Sequence, residues 1–367
     1  MRMSDERYGK GQTGVIQSDI SQPKLATGKD DCPQVAVIIP AHNAMAYLPE
    51  ALTSVLNQTY QNFEVLIVDN GSEDGIKSWY AQLGEAVRTK VRLYFQVNQG
   101  TCWARNTGIA ATRSPYVAFI DADDIWLPQK LERQVALLER NPEISLVYCW
   151  SATINSMGAP LGRIYAERLK DNVWAGLLVR NVISTPSAVL VRRSCLDEVG
   201  GFDTTLFAYI EDKDLWLRIA RSHQLMTMPE VLVQKRRHPF SMSNHWSAME
   251  KASYQVIDKA LWSPPFELSD RTLRVLRRKS YAEVNRHMAW KPLQTEAINV
   301  RTSLGYLIKA WRYQPLCIVS KESAKLVFVM VTISLVGPQR YLQGLRRISR
   351  LRQILSQRKY LPPLRQC

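Results

Sequence analysis

No GxGxxG motif follows the first strand-like run of this chain, and no GxxxxGK[ST] occurs anywhere in its 367 residues. Both the dinucleotide fingerprint and the phosphate-binding P-loop are therefore excluded. The six cysteines (Cys32, Cys102, Cys149, Cys195, Cys317 and Cys367) show neither CxxC nor zinc spacing, which argues against a disulfide framework and fits a reducing compartment. The N-terminus has no apolar core segment, so no secretory signal is expected. The longest apolar run, Leu326 to Val336, has 11 residues. A bilayer-spanning helix needs about 17–25. No RNP-like or KH-like pattern appears, and no nucleic-acid partner is expected.

Acidic residues are scarce in one part only. Residues 251–367 hold 22 of the 48 Lys and Arg but 6 of the 33 Asp and Glu, so this third carries +16 and the remainder −1. An anionic partner is expected there. The first 33 residues, rich in Ser, Lys, Asp, Gly and Gln without apolar period, read as a mobile tail.

The stretch from Tyr116 to Trp126 is the centre of the chain. Apolar and aromatic residues run into Asp121, Asp123 and Asp124. Side chains alternate along a strand, so Asp121 and Asp123 point the same way. Crowded carboxylates call for a hard divalent cation with oxygen ligands. Alone, the stretch reads as readily as a solvated turn before a helix near Pro128.

Its surroundings add weight. Val35–Ile39 is a short, almost uniformly apolar run, and Phe63–Val68 is again apolar apart from Glu64, as strands buried on both faces are. Val91–Phe95 is a third strand. Helical periodicity lies between them, with Tyr47, Leu48, Leu52, Val55 and Leu56 on one face, then Ile76, Trp79, Tyr80 and Leu83, then Cys102 to Ala111. The order βαβαβαβ predicts a parallel sheet with helices on both faces. Ligands in such sheets bind beyond the strands' carboxyl ends. His42 and Asn43, Asp69 and Asn70, Gly100, and Asp121 and Asp123 all fall at such ends.

With the segments VAVIIPAHNAMAYLPEALTSVLNQTYQNFEVLIVDNGSEDG, NQGTCWARNTGIA, YVAFIDADDIWLP and GGFDTTLFAYIEDKDLWLRIA, the chain resembles the inverting family 2 glycosyltransferases over roughly residues 34–245. The resemblance implies an α/β GT-A fold: a Rossmann-like, mostly parallel central sheet with helices on both faces. It would occupy residues 34–249, with a basic helical region at 250–367. It also implies a nucleotide-diphospho-sugar donor lying across the strand ends. Pro40, Ala41, His42 and Asn43 would line the base pocket, and Asp69 would contact the nucleoside. Asn70 stands where Asp is common in the family; its amide can accept a hydrogen bond but carries no charge. Gly100 would let backbone approach the sugar or phosphate, and Arg105 would face the diphosphate. Asp121 would accept from the ribose, and Asp123 would coordinate Mg²⁺ or Mn²⁺. Asp212, with Glu211 and Asp214 as rivals, would be the catalytic base. Arg237 and His238 would close over the diphosphate, His238 as a further metal ligand. The same resemblance implies a role in surface polysaccharide or glycolipid synthesis.

The C-terminal third reads as helices interleaved with basic residues. Residues 326–365 have the look of an interfacial amphipathic segment with Arg near anionic headgroups. The expectation is a cytoplasmic protein held peripherally on the inner face of the plasma membrane, acting on a glycan or lipid-linked glycan. The principal rival is a non-catalytic nucleotide-sugar-binding or scaffold subunit with the same fold. A nucleotidyltransferase is a more distant one.

Overall fold

The computed structural model describes residues 32–168, 172–206, 210–238, 246–294 and 298–344. The N-terminal tail to residue 31 and the basic segment from 345 onward lie outside the described residues.

The first half alternates as the apolar pattern requires. β1 (Val35–Ala41) leads through α1 (Leu48–Leu56) to β2 (Phe63–Asn70), and two short helices, α2 (Ile76–Ala81) and α3 (Glu85–Arg88), lead to β3 (Val91–Gln96). Then follow α4 (Thr101–Ala110) and β4 (Tyr116–Phe119). β3, β2, β1 and β4 are neighbours in that order, all parallel.

Beyond β4 the sheet becomes mixed. The remaining strands are β5 (Ile125–Trp126), β6 (Ile144–Ile154), β7 (Pro160–Tyr165), β8 (Val189–Arg192) and β9 (Gln224–Arg236). α5 (Lys130–Arg140) precedes β6, α6 (Val173–Val179) follows β7, and α7 (Arg193–Val199) and α8 (Glu211–Ser222) separate β8 from β9. β8 runs antiparallel to β4 and β6, whereas β9 is parallel to β6 and antiparallel to β5. β7 was not foreseen: nearly all of it is exposed and Gly162 sits inside it, so it has no buried alternation to read. β9 runs through Pro229, which breaks its apolar pattern; pairing with β6 jumps from Met228 to Val231 at that point.

The sheet separates two cores, and alternation sorts residues between them. Val37 and Ile39 of β1 pack on one face with α1, α2 and α5, while Ile38 faces the other with α4, α6, α7 and α8. The C-terminal helices α9 (Trp246–Trp262), α10 (Asp270–Trp290), α11 (Val300–Tyr313) and α12 (Lys321–Val336) complete that second core. Ile257, Met288, Leu307 and Leu326 are fully or almost fully buried in the same cluster as Trp216 and Phe119. The helical region therefore shares its core with the sheet.

Gly108 of α4 shows how closely the helix approaches β1. An added Cβ would stand 2.5 Å from Ile38 Cγ2. Ile38 is fully buried. Gly108→Ala should lower unfolding free energy by about 1–3 kcal/mol in urea titration, despite alanine's better helix propensity, because overpacking outweighs it.

Candidate active site

A cleft of about 1780 Å³ opens at the carboxyl ends of the parallel strands. Pro40, Ala41, His42 and Asn43 line it from the end of β1, and Asn70 and Gly100 from the next two crossings. Asp121 and Asp123 come from the end of β4, Asp212 from α8, and Arg237 and His238 from the end of β9. These residues are far apart in sequence, and the crossover topology brings them together. Asp69 is the exception. It is buried, and its Oδ1 accepts from Ser72 N at 2.8 Å, closing the loop after β2 instead of facing the cleft.

The end of the cleft beside β1 and β2 is a lattice of amides. Asn98 bridges His42, with Nδ2 to Nε2 at 3.2 Å, and Asn70, whose Nδ2 donates to Asn98 Oδ1 at 2.9 Å. Asn70 Oδ1 accepts from Gln96 Nε2 at 2.8 Å and from Gln99 N at 3.2 Å. Asn43, with φ +49, accepts from Glu73 N and donates its own N–H to Ser72, lacing the loops after β1 and β2. Gly100 opens α4 at φ +93, a conformation that L side chains rarely adopt.

The carboxylate loop is tightly braced. Arg105 lines the cleft, though it is only 3% exposed and its guanidinium is taken up by two carboxylates. Its Nη2 donates to Asp121 Oδ1 and its Nη1 to Glu211 Oε1, each at 2.8 Å. Burial opposes its charge, but the two carboxylates outweigh burial and raise its pKa. Arg105 thus clamps the end of β4 to the start of α8.

Asp124 is wholly a brace. It accepts from Ser187 Oγ at 2.6 Å, Thr185 Oγ1 at 3.2 Å and Arg236 N at 3.0 Å. Burial, and then the neighbouring Asp123 and Asp121, push its pKa well up. Arg236, fully engaged, donates to Asp123 O at 2.9 Å and to Glu50 Oε2 at 2.6 Å. That Arg236 and Glu211 hold the loop is not visible in the sequence, because bracing depends on partners 186 and 106 residues distant in the chain. Asn106 braces too: its amide exchanges hydrogen bonds of 2.8 Å with both N and O of Phe202.

Asp123 Oδ2 lies 2.9 Å from His238 Nε2, and Tyr47 stacks on that imidazole at 4.9 Å between ring centres. No cluster of three or more His, Cys, Asp or Glu suited to a metal occurs among the described residues. Two adjoining donors, one carboxylate oxygen and one imidazole nitrogen, nonetheless suit a hard cation that takes its other ligands from phosphate and water.

Asp212 is half-buried at the first turn of α8. Its Oδ1 accepts from Lys213 N at 2.6 Å and its Oδ2 from Asn181 Nδ2 at 3.3 Å. Burial first, and Glu211 second, push its pKa up to about 6, against the pull of the Lys213 N–H, Lys235 and Arg105. Its rivals are committed elsewhere: Glu211 to Arg105, and Asp214 to Arg218 and Lys259, both at 2.8 Å.

Known proteins resemble this chain in sequence and in fold. The family model "Glycosyl transferase family 2" matches residues 36–200. An "uncharacterized glycosyltransferase" of Nostoc sp. is 31% identical over 226 residues, 60% of this chain and 70% of the relative. One of Haemophilus influenzae is 28% identical over 218 residues, 57% of this chain and 67% of the relative. Among solved structures, the 1–349 portion of S. aureus TarS in complex with UDP matches with a TM-score of 0.53 at 19% identity, covering 85% of this chain and 92% of that one. The mannosyltransferase PcManGT from Pyrobaculum calidifontis, in complex with GDP-Man and Mn²⁺, gives 0.54 at 20% identity, covering 88% and 87%. These structural likenesses speak for the GT-A fold. With the sequence relatives they lead to one assignment: the chain belongs to glycosyl transferase family 2.

Proposed function

We propose that this cleft transfers a sugar, with inversion, from a nucleotide-diphospho-sugar to an acceptor hydroxyl. The observation that carries the reading is the juxtaposition of Asp121, Asp123, Asp212 and His238 in one cleft, with Asp212 tuned to about 6. A base with such a pKa is largely ionised at neutral pH yet can hold a proton.

In this reading the nucleoside lies along His42, Asn43 and Asn70, and Asp121 accepts from the ribose. Asp123 and His238 would hold Mg²⁺ or Mn²⁺, which, when bound, offsets the negative charge gathering on the departing diphosphate. Asp212 accepts the proton of the acceptor hydroxyl while that oxygen attacks the anomeric carbon from the face opposite the leaving group. A single displacement inverts the configuration. Arg105 keeps Asp121 and Glu211 in place.

The test is release of nucleoside diphosphate from a panel of UDP-, GDP- and dTDP-sugars, with and without EDTA. Turnover of at least one donor, abolished by EDTA, is expected. No release from any donor would favour the non-catalytic scaffold reading.

The membrane reading is supported by α12. Leu326, Met330 and Ile333 face the core, while Phe328 and Leu335 are 71% and 80% exposed, and Val319 nearby 86%. No helix of the described residues is long and apolar enough to cross a membrane. This apolar face, within the basic C-terminal third, suits the surface of an anionic cytoplasmic leaflet and a surface glycan or glycolipid product. Flotation of the full-length chain with anionic liposomes, reduced severalfold by Phe328→Ser with Leu335→Ser, is expected; a fully soluble wild type would contradict it.

A further inference from the structure

The amides at the end of the cleft beside β1 and β2 have fixed orientations. Which end of an Asn side chain is oxygen is ordinarily decided by its hydrogen-bond partners. Here two main-chain N–H groups decide. Gln99 N donates to Asn70 Oδ1 at 3.2 Å, and Gly100 N donates to Asn98 Oδ1 at 3.1 Å. Reversing either amide would set N–H against N–H.

The rest of the lattice follows from these two anchors. Asn70 Oδ1 accepts a second bond from Gln96 Nε2 at 2.8 Å, and Gln96 Oε1 accepts from the Thr107 hydroxyl at 2.7 Å. Asn98 Oδ1 accepts its second bond from Asn70 Nδ2 at 2.9 Å. Asn98 Nδ2 then faces His42 Nε2 at 3.2 Å. A carboxamide nitrogen only donates, so His42 Nε2 accepts and the ring hydrogen sits on Nδ1. Asn70 Oδ1 and Asn98 Oδ1 thus have both lone pairs in use. What remains is one N–H on Asn70 Nδ2, one on Asn98 Nδ2 and the Nδ1–H of His42, and all three residues line the cleft. The carboxylate beside Asn70 in the chain, Asp69, is buried and accepts from Ser72 N instead.

We infer that this lattice reads the base with N–H groups only, and so selects a base that presents two adjacent acceptors: guanine through O6 and N7, or cytosine through O2 and N3. The inference rests on the placement of the nucleoside along His42, Asn43 and Asn70 in the proposed function. Uracil and thymine fit poorly, because their two carbonyl oxygens flank an N3–H that would meet N–H groups here. Adenine carries an amino group beside both N1 and N7, with the same result. Opposed N–H groups are left unpaired on both sides, and sites that read hydrogen-bonding groups discriminate strongly for this reason. Asn70 is the residue that sets the choice. A carboxylate in its place would take Gln99 N and Gln96 Nε2 on one oxygen and keep the other as an acceptor for a ring N–H.

The test is calorimetric titration of GDP, CDP, UDP, dTDP and ADP into the full chain with Mn²⁺, for wild type and Asn70→Asp. In the wild type GDP or CDP is expected to bind about tenfold or more tightly than UDP, dTDP and ADP. The tighter of the two names the base. Asn70→Asp should shift the ratio of that nucleotide to UDP by about tenfold or more toward UDP. UDP, dTDP or ADP binding the wild type as tightly as the better of GDP and CDP would overturn the inference and leave the sugar-donor site standing. So would a ratio that Asn70→Asp does not move. If that variant does not fold, the wild-type ranking decides alone. Binding of none of the five would overturn the sugar-donor site itself, and this inference with it.

Discussion

Asp212→Asn should reduce sugar transfer by about 10²–10⁴-fold while nucleotide-sugar affinity stays within about twofold of wild type. The amide keeps the size and the contacts with Lys213 N, but it cannot take a proton. The wild-type rate should fall on the acid side with a midpoint near pH 6, because burial and Glu211 hold the carboxyl at about 6. Below that pH Asp212 is protonated and cannot act as base. Stability runs the other way. An acid whose folded-state pKa is raised loses stability for the fold once it ionises, and the penalty is relieved as pH falls through about 6. Asp212→Asn should therefore raise stability by on the order of 1 kcal/mol at pH 8, a gain that shrinks as pH falls below about 6 and vanishes only below the ordinary carboxylate value of 3.8. A variant with wild-type turnover would remove Asp212 from the mechanism.

Arg105→Met should be the most damaging single change to the site. The methionine fills similar volume but leaves Asp121 and Glu211, two carboxylates now joined through one guanidinium, facing each other without a counter-charge. Removing one partner of a buried pair costs about 3–5 kcal/mol, and equilibrium urea unfolding would read it. Arg105→Lys restores the charge but not the fork that reaches both partners, so an intermediate loss is expected. A second readout separates clamp from bulk stability. Arg105 is one of the groups that hold the Asp212 pKa down, so the acid limb of the residual activity should move to higher pH in Arg105→Met. A loss below about 1 kcal/mol with an unmoved limb would mean that Arg105 is not the clamp described.

The parallel half of the fold was legible because its first strands are mostly apolar and its helices amphipathic. Val35–Ile39 and Phe63–Val68 could hardly be anything but doubly covered strands, and their ends located the cleft. The mixed half was less so. β7 lies on the surface, and β9 hides behind Pro229. The C-terminal helices read as a separate basic region, yet Met288, Leu307 and Leu326 are core residues of the sheet's own second face. Among site residues, those at strand ends were visible from pattern. The supports were not: Arg236, Glu211, Thr185 and Ser187 are ordinary polar residues whose work is defined only by distant partners. Arg105 was visible, but its partners were not, since a helix position says nothing of which neighbour takes its charge.

The central claim is that Asp123, with His238, holds a divalent cation that secures a nucleoside diphosphate in this cleft. Melting temperatures of wild type and Asp123→Ala, with UDP, GDP and dTDP in the presence and absence of Mn²⁺, test it directly. A ligand that binds only the folded state adds about 2.7 kcal/mol at a hundredfold excess over Kd. The expected result is a rise with at least one nucleotide that requires Mn²⁺ and disappears in Asp123→Ala. A rise of equal size in the variant, or none with any of the three nucleotides, would contradict it.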